Sequence, residues 1–418
     1  MKIVGFIAEY NPFHNGHFYH IQKALEVTEA DAAIVVMSGD FVQRGAPAIL
    51  PKRFRARAAL ECGVAAVFEL PVCYATSSAE LFALGAVSLL NQLGVVGSIC
   101  FGSECGDLQI LQQLADILCE EPAPYQDSLK EYLKKGLSFP AARQLAVSAY
   151  FAERHLPDCS SLLNEPNNIL GIEYLKALKK TGSHMQPYTI QRMVSSYHDT
   201  TLQPAYSSAS AIRMLLETTQ QTGSAICFDE LTSQIPACHL EFLKKEYCQS
   251  YPVLLNDFSL LLRCKLLQNS KTQLNEYQDV SEELANRIYN HQNEFINYSQ
   301  FGELLKTREL AQTRIFRALL HIVLDIKEKD VRQYLADGIH YYARVLGFRE
   351  DSVKIVSEIA KEGSLPLLTQ PGRCELLPPA GRQMLMTDLF ASNLYQSVIT
   401  DKYHAAFENE YSKAIIKV

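Results

Sequence analysis

Short apolar runs that alternate with amphipathic segments are the strongest constraint on how this chain can fold. The runs are rich in β-branched residues and too short to be free-standing helices. They occur at 3–8, 32–37, 65–70 and 98–101. Segments with helical periodicity lie between and after them, at 17–29, 52–62 and 78–93. Strand–helix alternation of this kind predicts an α/β fold with a doubly wound parallel sheet.

Polar residues follow three of these runs, at 9–17, 38–40 and 102–104. In open parallel sheets ligands bind beyond the carboxyl ends of the strands. We therefore expect the three polar groups to meet at one edge of the sheet and to form the ligand site there.

The segment 14–17, His-Asn-Gly-His, is the most specific local signal. It stands between a predicted strand and a predicted helix, where unpaired N–H groups and the helix dipole favour a nucleotide phosphate. His14 and His17, three residues apart, would supply hydrogen-bond donors for adenylyl transfer, and Gly16 would let the backbone approach a phosphate. A pair of capping or surface histidines is the plainer alternative. A metal site formed by His14, His17 and His20 is a third, less favoured because one helix face suits three ligands poorly.

Further candidates for binding anions follow the second strand. Gln43 and Arg44 could reach a phosphate or a carboxylate substrate, or belong to an ordinary loop. Lys52 is the first of several basic residues at the start of a predicted helix, where the helix dipole disfavours cations unless an anion is bound. The alternative is a solvated helix face. Gly102 would let a flat ligand pack on the backbone, although a plain turn fits almost as well.

The rest of the chain is predicted to be mainly helical. Residues 107–165 and 169–178 have helical patterns, and 187–192 could add a strand to the sheet. Four further residues are each weak evidence for a ligand site: Asn167, Arg192, Ser210 and Arg213. Together they would bring hydrogen-bond donors to the same edge of the sheet. We place a first, ligand-binding domain at 1–220 and a second, mainly helical domain at 221–418. Helices are expected at 254–267, 281–289, 313–324 and 351–360, and the chain could end in an edge strand.

One stretch of the second part is basic. Arg314, Arg317 and His321 share a helical face, with Lys306 and Arg308 nearby. This is the best local candidate for RNA phosphates. A salt-bridged face is the usual alternative, since Glu303 and Glu309 are close in sequence.

Composition excludes several classes of protein. The 418 residues are 48% hydrophobic and 20% charged, as in globular proteins, and the net charge of −7 argues against a general nucleic-acid coat. No signal-peptide pattern and no apolar run long enough for a membrane span occurs. The eleven cysteines form no C-x-x-C pair, which suits a reducing cytoplasm in which most are buried hydrophobic residues.

An ordered set of motifs resembles the bacterial tRNA(Met) cytidine acetate ligase family, part of the HxGH nucleotidyltransferase superfamily. The set covers most of the chain. The motifs lie at 8–17, 37–39, 41–45, 69–71, 100–104, 166–174, 197–199, 209–213 and 344–348.

The resemblance implies that acetate and ATP form acetyl-adenylate, whose acetyl group passes to N4 of the wobble cytidine of elongator tRNA(Met). ATP and Mg²⁺ are the cofactors expected for this reaction. His14 and His17 would be catalytic. The candidates for binding substrate (Gln43, Arg44 and Lys52) and for binding RNA (Arg314, Arg317 and His321) come from the residue patterns above, and the basic cluster after 300 matches the family only loosely. The ATP-binding residues carried over are Ile7, Ala8, Glu9, Tyr10, Asn11, Pro12, Phe13, His14, Asn15, Gly16, His17, Phe18, Tyr19, His20, Gly102, Asn167 and Arg192, with Ser210 and Arg213 by superfamily analogy.

Asp40 departs from the family pattern, where a neutral polar residue is expected. A carboxylate facing the phosphates would repel them unless Mg²⁺ bridged the two. Two other functions stay open at this point. One is a nucleotidyltransferase that makes a small adenylate or dinucleotide without RNA; the other is a non-catalytic RNA-binding protein, against which the intact His14, Gly16 and His17 argue.

Overall fold

The computed structural model describes residues 1–192, 208–222, 228–307 and 310–418. The strands are β1 (Ile3–Ala8), β2 (Ala32–Ser38), β3 (Phe41–Val42), β4 (Ala46–Pro47), β5 (Ala66–Leu70), β6 (Ser98–Ser103), β7 (Gln186–Gln191), β8 (Ala343–Phe348), β9 (Leu367–Leu368) and β10 (Ile416–Lys417). No helix within the described ranges is long and apolar enough to cross a membrane.

The helices of the first part are α1 (Asn15–Thr28), α2 (Lys52–Glu61), α3 (Val72–Ala75), α4 (Ala79–Gln92), α5 (Leu108–Glu120), α6 (Ala123–Lys134), α7 (Phe139–Glu153), α8 (Pro166–Lys180) and α9 (Ala209–Thr222). They include the three that the sequence predicts between the strands, which are α1, α2 and α4.

The helices of the second part include all four that the sequence predicts there. They are α10 (Asp229–Thr232), α11 (Ala237–Glu246), α12 (Ser259–Gln268), α13 (Lys271–Leu274), α14 (Glu282–His291), α15 (Tyr298–Leu304), α16 (Gln312–Leu324), α17 (Glu328–Ala336), α18 (Val353–Glu362) and α19 (Pro379–Tyr403).

Five parallel strands from the first half of the chain form the centre of the sheet, in the order β5-β2-β1-β6-β7. The predicted α/β fold with a doubly wound, mostly parallel sheet is thus confirmed. The chain starts in β1, moves outward through β2 and β5, then returns past β1 to β6 and β7. The switch point of this topology lies between β1 and β6, where open α/β sheets bind ligands.

Both faces of the sheet are covered, as the nearly continuous apolar strands predict. In β2, Ile34 and Val36 pack into one core, with α4, α5 and α8. Val35 and Met37 point into a second core on the opposite face, with α1 and α2. Successive side chains of a strand alternate between faces, so one strand supplies two cores, and each buried side chain contributes about 1.5–3 kcal/mol.

The second half of the chain extends the same sheet. β8 pairs antiparallel with β5, and β9 and β10 pair parallel with β8. The predicted terminal edge strand is therefore present, whereas β8 was not expected as a strand. The division into domains 1–220 and 221–418 stays a prediction, and the sheet is built from residues on both sides of that boundary.

A buried charge cluster joins the two parts at this side of the sheet. Lys52 Nζ lies 2.7 Å from Glu69 Oε1 and 3.1 Å from Glu410 Oε1. Arg344 contacts the same two carboxylates, at 2.9 Å and 2.6 Å. Because all four side chains are buried and every charge has an opposite neighbour, they fix α2, β5, β8 and the C-terminal segment together.

Candidate functional site

The switch point gathers candidate residues from five separate parts of the chain. The loop after β1 carries His14, Gly102 lies near the end of β6, and Asn167 is in the first turn of α8. Arg192 follows β7 directly, and Arg213 comes from α9. The predicted convergence of these residues on one sheet edge is what the parallel topology produces.

His14 caps the helix that it precedes. Its Nδ1 accepts the N–H of Gly16 at 3.0 Å, and its own backbone N–H donates to Nδ1 of His17 at 3.3 Å. In neutral imidazole only one nitrogen accepts, so both rings carry their proton on Nε2. The cap thus fixes two imidazoles, stacked at 3.8 Å between centroids, as hydrogen-bond donors.

The three histidines are uncharged at neutral pH. Burial and the neighbouring Arg192 and Arg213 lower the pKa of His14 to about 3. Burial and Arg192 lower the pKa of His20 to about 4, and the pKa of His17 is lowered well below its usual range by burial and by His14. Contacts place both arginines at this edge: Arg213 donates to the Asn11 carbonyl in the loop that carries His14, and Arg192 lies beside Gly102 and Asn167. The positive charge of the site therefore resides on the two guanidinium groups.

The start of α1 differs from the expectation of open backbone donors. The Asn15 N–H donates to the carbonyl of Gln234 at 2.8 Å, and the Gly16 N–H is taken by His14. A Cβ atom at Gly16 would lie 2.9 Å from His14 Cε1. Gly16 is thus required for the approach of the His14 ring, and side-chain donors replace the backbone donors that the sequence suggested.

Three contacts hold the loop between β1 and α1. Buried Arg55 donates to the carbonyl of Glu9 and to those of Ser38 and Gly39 at the end of β2. The Asn11 side chain accepts the N–H of Ile49 at 2.8 Å. Arg213 donates to the Asn11 carbonyl at 2.5 Å and to Ser210 Oγ at 2.9 Å, which ties α9 to the loop.

The remaining residues of 7–20 mainly build this loop. Ile7 and Ala8 end β1, and Tyr10 and Phe13 are buried, with Tyr10 in edge contact with Phe13 and His17 at 4.8 and 4.9 Å. Asn11 and Pro12 are also buried. Seven residues of this segment are partly exposed and could face a ligand: Glu9, Asn15, Gly16, His17, Phe18, Tyr19 and His20.

Glu104, part of the polar group predicted at 102–104, organises the other half of the edge through contacts that the sequence did not indicate. Its carboxylate accepts the N–H of Asn167 at 3.1 Å, the N–H of Asn168 at 2.7 Å and the Asn167 side-chain amide at 2.7 Å. A carboxylate is favoured at a helix start. Glu104 thereby turns the side-chain oxygen of Asn167 towards Arg192, whose guanidinium lies 3.5 Å away.

Gly102 has a steric role beside this pair. A Cβ atom there would lie 3.2 Å from Cγ of Arg192. The glycine therefore allows the arginine stem to cross the strand end. No sequence signal links Glu104 to Asn167, since the two are 63 residues apart and meet only through the sheet.

The predicted substrate-binding residues lie in different surroundings. Gln43 donates its N–H to Glu9 at 2.9 Å and its side-chain amide to the Ser77 carbonyl at 3.1 Å, while the Arg44 side chain is exposed. Lys52 is buried in the charge cluster, so carboxylates of the protein itself explain the basic start of α2. Its assignment to substrate binding stays a prediction that these contacts do not support.

The Asp40 carboxylate pairs with Lys52, so its negative charge is compensated within the protein. Its carboxylate accepts the N–H of Lys52 at 2.8 Å and lies 3.8 Å from Lys52 Nζ. It caps α2 and is buried with a cation. The structure thus gives it a structural partner without requiring Mg²⁺.

The three predicted RNA-binding residues do not form one exposed face. Arg317 is buried and donates to Asp279 at 2.8 Å. His321 is fully buried between the carbonyls of Gln278 and Thr76, at 2.9 and 3.0 Å. Only Arg314 is exposed. Their role in RNA binding stays a prediction, and a direct contact is available to Arg314 alone.

The motif 197–199 and the neighbouring charged residues Arg308 and Glu309 fall outside the described residues. Among the residues that are described, no group of three or more His, Cys, Asp or Glu side chains could hold a metal ion. His14 and His17 instead use Nδ1 within the helix cap.

The family of the chain follows from comparisons with known proteins. A model of the family described as "HIGH Nucleotidyl Transferase" matches residues 1–410. A tRNA(Met) cytidine acetate ligase of Thermoanaerobacter sp. (strain X514) is 43% identical over 94% of this chain and 95% of its own length. The chain belongs to the tRNA(Met) cytidine acetate ligase family. The family resemblance stated from the motifs is confirmed.

Other members support the same assignment. The tRNA(Met) cytidine acetate ligase of Acetivibrio thermocellus is 37% identical over the full length of both chains. Among solved structures, Thermotoga maritima TmcAL without ligand matches over the full length of both chains with a TM-score of 0.92 and 33% identity. The same protein bound with alpha-thio ATP matches with a TM-score of 0.89 and 34% identity.

Proposed function

We propose that this protein is an ATP-dependent ligase that activates acetate as acetyl-adenylate and transfers the acetyl group to N4 of the wobble cytidine of elongator tRNA(Met), giving N4-acetylcytidine. The observation that carries the proposal is that the sheet brings the His14 loop, Arg192 and Arg213 to its switch point, where Arg213 donates to the Asn11 carbonyl and Arg192 lies beside Asn167. Relatives named for this activity and a relative that binds an ATP analogue support it.

In the first step an acetate oxygen attacks the α-phosphorus of ATP, and pyrophosphate leaves with the electrons of the broken P–O bond. Negative charge builds on the phosphate oxygens during this transfer. The Nε2–H groups of His14 and His17 would donate hydrogen bonds to those oxygens, and Arg192 and Arg213 would supply the positive charge. Because the donors are fixed before the nucleotide arrives, little reorganisation is needed in the transition state.

Mg²⁺ would enter with the nucleotide. It prefers phosphate oxygens and water to an all-protein cage. The carboxylates that follow β1 and β6 are already engaged, Glu9 with the N–H of Gln43 and Glu104 with the start of α8. The protein's contribution would therefore be to position the phosphates that hold the ion.

In the second step the N4 amine of cytidine attacks the acetyl carbonyl, and AMP leaves as the amine loses a proton. A wobble base lies in a single-stranded loop, so it can be turned outward and stacked in a site at modest cost. Gln43 and Arg44 remain the candidates for the acetate carboxylate, and Arg314 for an RNA phosphate. Reaction partners of this kind support a cytoplasmic location for the enzyme.

The proposal is tested with transcribed elongator tRNA(Met), ATP, Mg²⁺ and labelled acetate. Label should appear in N4-acetylcytidine, and a transcript with uridine at the wobble position should stay unlabelled. His17→Ala should remove the label because one phosphate donor is lost, while tRNA binding in a filter assay should persist. Equal labelling of the two transcripts, or no labelling with any carboxylic acid, would exclude this function.

A further inference from the structure

Two cysteines from distant parts of the chain lie side by side. Sγ of Cys62 and Sγ of Cys238 are 3.9 Å apart, although 176 positions separate them in the sequence. Cys62 follows the last residue of α2, and Cys238 is in the first turn of α11. Spacing along the chain could not indicate this pair, since it depends on the packing of α11 against α2.

The two helices are held together next to the pair. His239 Nδ1 lies 3.4 Å from Glu61 Oε2, and the rings of Phe54 and Phe242 meet edge to face at 4.7 Å between centroids. A disulfide bond is about 2.05 Å long, so the sulfurs must close by about 2 Å. Rotation of the two side chains is on this scale, and side-chain contacts beside the pair already hold α11 against α2.

The pair is accessible from one side. Cys62 is buried, with 7% of its surface exposed, whereas Cys238 is exposed. Both line a surface pocket of about 450 Å³, together with Asn15, Phe18 and Arg349. Burial raises the pKa of the Cys62 thiol. A small disulfide entering this pocket would therefore meet Cys238 first, and Cys62 would act second.

We propose that Cys62 and Cys238 form a thiol–disulfide exchange site whose oxidation cross-links α2 to α11. The Cys238 thiolate attacks a small-molecule disulfide and releases one thiolate, which takes up a proton. The Cys62 thiolate then attacks the Cys238 sulfur of the mixed disulfide and releases the second. The protein gains one S–S bond and loses two electrons and two protons, and the small disulfide becomes two thiols.

The cross-link would act on the segment that covers the start of α1. The carbonyls of Ser233 and Gln234, shortly before Cys238, accept the side-chain and backbone N–H groups of Asn15. A separate apolar cluster joins this segment to α9, the helix of Arg213, through residues that include Ile212, Ile235 and Leu240. Oxidation would thus tie the part of the chain that carries Arg213 to the nucleotide-binding sheet.

The full-length protein is incubated with oxidised glutathione, and the products are mapped by mass spectrometry after digestion without reductant. The expected product is a Cys62–Cys238 linked peptide that dithiothreitol removes. Cys238→Ser should give no linked peptide, and Cys264→Ser, which alters an exposed cysteine on α12, should give as much as the wild type. Oxidised wild type should also melt at a higher temperature than oxidised Cys238→Ser, because the bond closes a long loop.

Either of two results would overturn the proposal. One is a stable glutathione adduct on Cys238 with Cys62 still a free thiol, which would show that the sulfurs cannot close. The other is a linked peptide without any difference in melting temperature, which would show that the bond does not anchor α11. Because Cys238 is exposed, its replacement by serine leaves the core packing intact and keeps the comparison interpretable.

Discussion

The imidazoles of His14 and His17 each have one nitrogen engaged within the helix cap and the other available as an N–H donor. The engaged nitrogens accept backbone N–H groups of Gly16 and His14. This arrangement explains why the rings are uncharged yet suited to phosphate oxygens. A protonated pair stacked at 3.8 Å would repel itself, so the protein places its cations on Arg192 and Arg213 instead.

The lowered pKa of His14 makes the stability of the protein depend on pH. The pKa of His14 is about 3 in the folded state and 6.5 in the unfolded state, so between these pH values the unfolded state binds a proton that the folded state does not. The stability that neutral His14 contributes is therefore complete above pH 6.5 and is lost as the pH falls towards 3. His14→Asn keeps an N-cap acceptor but does not titrate. Between pH 7 and pH 5, the wild type should lose about 1–2 kcal/mol more unfolding free energy than His14→Asn in urea titrations. Equal losses would show that His14 is not held neutral by the fold.

Glu104 provides a second test at the scale of one residue. Glu104→Gln replaces one of the two carboxylate oxygens that accept the N–H groups of Asn167 and Asn168 by an NH₂ group, which cannot accept. The Asn167 side chain should therefore turn away from Arg192. We expect the KM for ATP to rise about 5–10-fold, equivalent to ~1–1.4 kcal/mol, with a smaller change in kcat. Asp107→Asn is the matched control, because Asp107 caps α5 with the N–H groups of Gln109 and Ile110. Equal KM values for the two variants would contradict the positioning role.

The central strands are the elements that the sequence predicts best. The runs at 3–8, 32–37 and 65–70 each contain successive apolar residues that serve two cores, so their burial is visible in composition alone. The hairpin of β3 and β4 was not predicted as strands. Its strands have two residues each, and pairing such as Phe41 with Pro47 depends on packing that a periodicity cannot show.

Gly45 ends the turn of this hairpin and sets the distance between the hairpin and α16. Its φ is +77°, and a Cβ atom there would overlap the backbone nitrogen of Arg317. Gly45→Ala should therefore combine backbone strain with a clash and lower the unfolding free energy by about 2–4 kcal/mol. Gly63→Ala is the control, since Gly63 has a φ of +97° but no atom within 4 Å of its Cβ position. Equal losses in denaturant titrations would show that the contact with α16 adds nothing.

At the scale of the whole molecule, β8 and the C-terminal segment complete the sheet that carries the site. The sequence did not predict β8, because Arg344 and Gly347 interrupt its apolar pattern. Arg344 is accommodated only because Glu69 and Glu410 meet it there, and Gly347 because Ile416 and Leu60 pack against its Cα. Such partners lie far away in sequence. The same reason hid the contact of Glu104 with Asn167 and the burial of Arg317 and His321.

Glu410 should be essential to this junction. Burial would raise the pKa of its carboxyl group, but Lys52 and Arg344 outweigh that effect and lower the pKa to about 2. Glu410→Ala leaves these cations without one of their partners and should cost about 3–5 kcal/mol of unfolding free energy. Glu408→Ala, which removes an exposed carboxylate 3.2 Å from Lys413, should cost less than about 1 kcal/mol. Similar losses in the two variants, measured by urea unfolding, would contradict the view that the cluster holds the two parts together.

Acetate-dependent exchange of labelled pyrophosphate into ATP is the most direct test of the central claim, that the switch-point residues activate a carboxylic acid with ATP. The protein is mixed with ATP, Mg²⁺ and labelled pyrophosphate, with and without acetate and in the absence of tRNA. Label should enter ATP only when acetate is present, and His17→Ala should abolish it. Exchange that is independent of acetate, or absent with every carboxylic acid tried, would contradict the account.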